Sequence, residues 1–218
     1  MNHAALLVAN TSQGALASLR GEALLTHAVR GLICSGCVDL TIVLDSDRRL
    51  AESESAVRVV PGAAGRYRVF RGCADRSESL RRAVHVVGRT PSEVLVIHDA
   101  TRARTPASLV EAVVAAVQGG APAAVPVLPM TDTVKLVDPG ARITGTRDRA
   151  RLRTLQTPMA FHDDLRPELA EHGPERLLDR LGAGVRLVEG HPDAAKLASE
   201  FELALAEAAL AEATGGSR

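Results

Sequence analysis

Six short apolar runs, at residues 4–9, 40–44, 57–60, 94–97, 123–127 and 185–188, constrain this chain more than any other feature. Each is bounded by polar or glycine-rich turns, and most lack the alternation of a strand with one wet face. Such strands are covered on both sides. Between the runs lie segments with helical spacing, 22–33, 77–87, 106–117 and 165–170, and a last helix over 199–213 ends in a Gly-Gly breaker. Strands alternating with helices need crossover connections. The expectation is an α/β fold: a single Rossmann-like domain with a mostly parallel sheet over residues 1–213, followed by a disordered tail at 214–218.

Ligands of parallel sheets bind beyond the carboxyl ends of the strands. That directs attention to VLVIHDATR, where an aliphatic run stops at His98 and Asp99 and Arg102 follows three residues later. A turn at that point would aim both charged groups at one ligand, the carboxylate holding a divalent metal or a hydroxyl and the guanidinium forking a phosphate. The alternative is an Asp capping the next turn beside a surface Arg. His98 reads as a satisfied wall residue.

Lysine usage adds a second pointer. Only two of the 26 Lys and Arg residues are lysines, Lys135 and Lys196. Where Arg serves as the general cation, a retained Lys suggests a need for a compact point charge. Lys196 follows a strand and a short loop and precedes the final helix, so it belongs near a sheet edge, where it would meet an anion. The stretch RARLRTLQT from Arg149 to Thr157 offers donors for a phosphate cradle or a solvated basic face. RGCADRSES offers Gly72, Arg76 and Ser79 at a turn whose helix begins with free amides.

Composition excludes several classes. The formal net charge is zero, with 26 basic and 26 acidic residues, which removes the electrostatic footprint of a nucleic-acid or membrane-surface binder. One Tyr, three Phe and no Trp leave little for stacking on bases. There is no signal-peptide pattern and no run of apolar residues long enough to span a bilayer, so the expectation is a cytoplasmic protein. Cys34 and Cys37 form a CxxC, but it closes a helix instead of opening one, and with Cys73 the three read as ordinary packing cysteines.

One region breaks the parallel rhythm: TDTVKLVD, a Pro-Gly turn and ARITGT read as a hairpin that needs something to lie against. In order, VLVIHDATRA, AVPVLPMTDTVKLVD, ITGTRDRARLRTLQTPMAF and KLASEFELALAEAAL resemble the motifs of one family, the 2-C-methyl-D-erythritol 4-phosphate cytidylyltransferases of the non-mevalonate isoprenoid pathway. The resemblance covers nearly all the chain from about residue 70 onward. It implies a nucleotidyltransferase fold, glycosyltransferase-A-like, with a protruding β-arm at about 131–157 that clasps a second protomer. It implies transfer of CMP from CTP to the phosphate of methylerythritol phosphate or a related polyol phosphate, with Mg2+ and release of pyrophosphate.

By the same resemblance Asp99 would hold the metal and Lys196 would stabilise charge at the reacting phosphorus. Arg102, Thr133, Arg149 and Thr157 would surround the acceptor, and Ala9, Asn10, Gly72, Arg76 and Ser79 the nucleotide. The chain departs from the family at its first loop, where a glycine-rich, lysine-bearing segment is replaced by NTSQGALASLRGEALL, which has Gly14, no lysine and Arg20 as its one cation. Met159 and Thr101 are smaller departures. Losing one preorganised donor to a triphosphate costs roughly 3 kcal/mol. Two readings therefore stand at this stage: an active cytidylyltransferase, or a degenerate homologue serving as a dimeric sugar-phosphate-binding or regulatory protein.

Overall fold

A computed structural model describes residues 4–8, 14–45, 49–72, 76–87 and 93–215. In chain order it contains β1 (Ala4–Val8), the short strands β2 (Ser18–Leu19) and β3 (Glu22–Ala23), α1 (Leu24–Cys34), β4 (Leu40–Asp45), α2 (Leu50–Arg58), β5 (Tyr67–Arg71), α3 (Arg76–Val87), β6 (Val94–Asp99), α4 (Ala107–Gln118), β7 (Ala123–Pro129), β8 (Val134–Val137), β9 (Ile143–Arg147), β10 (Arg153–Leu155), β11 (Met159–His162), α5 (Arg166–His172), α6 (Pro174–Leu181), β12 (Val185–Glu189) and α7 (Glu200–Gly215).

The α/β expectation holds. Strands β5, β4, β1 and β6 lie side by side and parallel. Beyond β6 comes the antiparallel β11, then β7, whose opposite edge carries the parallel β12. β10 and β11 pair with the two ends of one edge of β7. From β1 the chain steps to β4 and β5 on one side and later to β6 on the other, so β1 is where the winding reverses. Crevices at such reversals, at the carboxyl ends of the strands, take ligands.

Burial on both faces explains the unbroken apolar runs. Val94 and Val96 of β6 join a core with Leu25, Val29 and Leu32 of α1 and Val110, Val113 and Val114 of α4. Leu95 and Ile97 turn the other way, onto Leu80 and Val84 of α3, Leu169 of α5 and Leu177 of α6. Phe161 of β11 is fully buried in that second core. Truncation to Ala there costs about 3–5 kcal/mol.

One expected strand is corrected. Residues 57–60 are the end of α2 and the turn after it, where the Val60 amide donates to the Val57 carbonyl. In helical phase Ser53 and Val57 reach the interior together, and both are buried. The edge of the sheet is instead β5, whose Arg68 and Arg71 break its apolar run and hid it from an apolar-run criterion.

The hairpin is present: β8 and β9 form a separate two-stranded antiparallel sheet closed by a turn through Pro139 and Gly140. No helix among the described residues is long and apolar enough to cross a membrane. Cys34 is exposed, contrary to its reading as a packing residue, whereas Cys37 is half-buried and burial pushes its thiol pKa up. A raised pKa and a position after the helix end are the reverse of what a redox CxxC needs.

Candidate active site

The turn after β6 is built by Asp99 itself. Its Oδ1 accepts from the Thr101 amide at 3.0 Å and the Thr101 hydroxyl at 2.7 Å, and the Arg102 amide donates to the Asp99 carbonyl at 2.9 Å. Its Oδ2 faces the Lys196 ammonium at 3.3 Å. The two sequence readings of Asp99 are thus divided between its oxygens: one organises the turn, the other meets a charged partner. Asp99 is buried while the Lys196 side chain is 44% exposed, so the pair sits at the boundary between sheet and solvent.

Behind it lies a closed polar shell. The Thr157 Oγ1 accepts from the Asp99 amide at 3.1 Å and approaches His98 Nδ1 at 3.0 Å. The Thr157 hydroxyl has two lone pairs and one proton, so it donates to Nδ1 or accepts from it according to the imidazole tautomer. Burial lowers the His98 pKa to about 4, with the Asp99 charge opposing that shift and the Arg102 charge adding to it. His98 is the wall residue expected from the sequence.

Lys196 is brought in by a loop that crosses from the edge strand β12 toward β6. The Leu197 amide donates to the Thr101 carbonyl at 2.9 Å, and Arg104 pairs with Asp193 at 2.7 Å. Arg102 directs Nη1 to the Ala194 carbonyl at 2.6 Å and Nη2 to the Leu155 carbonyl at 3.4 Å. In this arrangement its guanidinium holds loop backbone. Past Lys196, α7 opens with a capping box: Ser199 and Glu202 exchange hydrogen bonds, and the Ala198 and Ser199 amides lower the Glu202 pKa.

Asp99, Arg102, Thr157 and Lys196 are therefore brought together. Gly72 and Ser79 form a second group at the carboxyl ends of β4 and β5. The Gly72 amide donates to the Asp45 carbonyl at 2.7 Å, and a Cβ on Gly72 would lie 3.1 Å from the Ser79 hydroxyl. Asp45, which closes β4 as Asp99 closes β6 and accepts a short hydrogen bond from Ser53, was missed in the sequence although LTIVLD carries the same signal as VLVIHD. Arg76 begins α3. Ala9 and Asn10 lie outside the described residues.

Thr133 and Arg149 are both exposed, Thr133 just before the β8–β9 hairpin and Arg149 just after it, with Arg149 donating to the Thr131 carbonyl at 2.5 Å. Residues 14–23 form a 3-10 turn at Gly14–Leu16 and a hairpin of β2 and β3 with Arg20 and Gly21 at its tip, both at positive φ. There Arg20 donates to the Leu210 carbonyl of α7 at 3.3 Å.

Strand order and site together define a nucleotidyltransferase-type α/β protein. A solved 4-diphosphocytidyl-2C-methyl-D-erythritol synthase from Anaerococcus prevotii superimposes with a TM-score of 0.82 at 18% identity, covering 96% of each chain. The 2-C-methyl-D-erythritol 4-phosphate cytidylyltransferase structure from Thermus thermophilus gives 0.73 at 26% identity, over 96% of this chain and 98% of that one. The chain belongs to the 2-C-methyl-D-erythritol 4-phosphate cytidylyltransferase family, whose model matches residues 8–212. A relative bearing that name in Saccharopolyspora erythraea is 43% identical over 212 residues, 90% of each protein.

Proposed function

We propose that this protein transfers CMP from CTP to 2-C-methyl-D-erythritol 4-phosphate and releases pyrophosphate. An acceptor phosphate oxygen attacks the α-phosphorus, the bond to the bridging oxygen of pyrophosphate breaks, and the electron pair leaves with pyrophosphate. The observation that carries the reading is the Asp99–Lys196 pair at the sheet's carboxyl end in a chain of this family. A lysine there offsets charge that develops on the pentavalent phosphorus, a role suited to a point charge.

Among the described residues no cluster of three or more His, Cys, Asp or Glu could hold a metal. Magnesium in phosphoryl-transfer sites needs only one or two carboxylates, with substrate phosphates and water completing its shell. The donor set fits: Asp99 would hold the ion through its outer oxygen. Bound there, magnesium would neutralise phosphate charge. Thr157 orients the Asp99 strand end, and Arg102 holds the neighbouring loop. Gly72 and Ser79 line the nucleotide side, while Thr133 and Arg149 serve an acceptor site completed across a homodimer formed through the arm. A location in the cytoplasm agrees with this chemistry.

Isothermal titration of CTP in the presence of magnesium tests the nucleotide half. Saturable heat with CTP, and much weaker heat with ATP, supports the reading. No heat at millimolar CTP ends it and leaves the sugar-phosphate-binding alternative.

A further inference from the structure

Two adjacent residues hold the two halves of the site in register. Thr157 fixes the end of β6 through the Asp99 amide. Gln156, one residue earlier, fixes the loop that carries Lys196: its Nε2 donates to the His191 carbonyl and its Oε1 accepts from the His191 amide, each at 2.9 Å. The side-chain amide thus pairs with loop backbone as a neighbouring strand would, at a point where β12 has ended and those groups lack ladder partners. Gln156 is itself held to the sheet, its amide donating to the Pro126 carbonyl at 2.8 Å, and it is 2% exposed.

Gly190 leaves the room for this contact. A Cβ there would lie 2.4 Å from Gln156 Oε1 and 2.9 Å from the Val127 carbonyl oxygen. No side chain is compatible with that spacing, so the residue is required by close approach.

We infer that Gln156 and Gly190 form a lock that sets the position of Lys196 relative to Asp99, making Gln156 a positioning residue for the cytidylyl transfer. The inference rests on the activity proposed above only for that last consequence. The lock has helpers, since Arg102, Arg104 and the Leu197 amide also tie down the loop. Breaking it therefore displaces Lys196 without unfolding the protein.

Lysine scarcity gives a test that does not depend on activity. Trace acetylation followed by mass spectrometry reads Lys196 against Lys135, the other lysine of the chain, which sits on the arm and donates to the Thr146 hydroxyl at 2.8 Å. Gln156→Met keeps the volume and removes both hydrogen bonds, and Gly190→Ala breaks the lock from the opposite side. Each is expected to raise the Lys196:Lys135 labelling ratio about threefold or more, with the double variant no higher than either single one, as for residues acting as one unit. Pyrophosphate release by Gln156→Met is expected to fall about tenfold in kcat with little change in KM for CTP. A labelling ratio unchanged in both single variants overturns the lock, whatever happens to turnover. A raised ratio in a protein whose unmodified form makes no cytidylyl product keeps the lock and removes the proposed activity instead.

Discussion

Lys196 and Asp99 stand 3.3 Å apart, although one belongs to the loop after the edge strand β12 and the other to β6, with β7 and β11 between them. The carboxylate meets that lysine with only one oxygen, because the other is held by Thr101. A residue that organises its own turn is preorganised for a ligand, since no torsion has to be fixed when the ligand arrives.

The division of labour within Asp99 predicts how its variants behave. Asp99→Asn keeps an acceptor for the Thr101 amide and hydroxyl but removes the charge. Cytidylyl transfer should fall by about 10²–10³-fold, the scale of one lost preorganised electrostatic contact. The thermal midpoint should move little. Steady-state kinetics and a melting curve on the same preparation check both halves.

Lys196→Arg is expected to behave as a loss and not as a conservative change. A guanidinium is broader than an ammonium and cannot take its place against a single carboxylate oxygen beside Thr101. Its kcat should fall nearly as far as that of Lys196→Met, with KM for CTP less affected. Recovery to near the parent rate in the Arg variant would show that any cation suffices.

His98 gives the site a pH dependence of stability. Above pH 6.5 the ring is neutral in the folded and unfolded chains alike, and the folded state carries no penalty. Between pH 6.5 and about 4 the unfolded chain takes up a proton that the buried ring refuses, so stability falls as pH falls. The loss amounts to roughly 3 kcal/mol across that window. Urea midpoints measured from pH 7 to pH 4.5 should fall more steeply for the parent than for His98→Gln, which cannot titrate there.

The sheet was legible because its strands are covered on both faces and so read as unbroken apolar runs. The same criterion passed over β5, an edge strand written YRVFR, and α2, whose LAESESAVR turns only Ser53 and Val57 fully inward. β10 and β11 were hidden because the connection through Gln156, Thr157 and Pro158 interrupts one antiparallel run at the point where it builds the site. In the site, Asp99 and Lys196 stood out by position and by scarcity. Asp45 ends an equally apolar strand and was overlooked, and Gln156 could not be found without the loop it clamps. Those contacts join positions far apart in the chain, with no local periodicity to mark them.

The β8–β9 hairpin carries exposed apolar residues at Leu136, Val137 and Ile143, with Ile143 at 68% exposure. Apolar area of this kind on a separate two-stranded hairpin is expected to be covered by a second protomer. Ile143→Asp should shift the chain from dimer to monomer in sedimentation velocity at micromolar concentration. Catalysis should drop with it if Thr133 and Arg149 serve the partner's acceptor site. A parent protein that sediments as a monomer would contradict the shared site.

The account stands most directly on product formation. With CTP, 2-C-methyl-D-erythritol 4-phosphate and magnesium, the parent protein should yield the cytidine diphosphate adduct of methylerythritol and pyrophosphate in equal amounts, and Asp99→Asn should yield neither at a comparable rate. A folded parent that makes no adduct at millimolar substrates, or an Asp99→Asn variant that matches it, would contradict the assignment of the reaction to the Asp99–Lys196 pair.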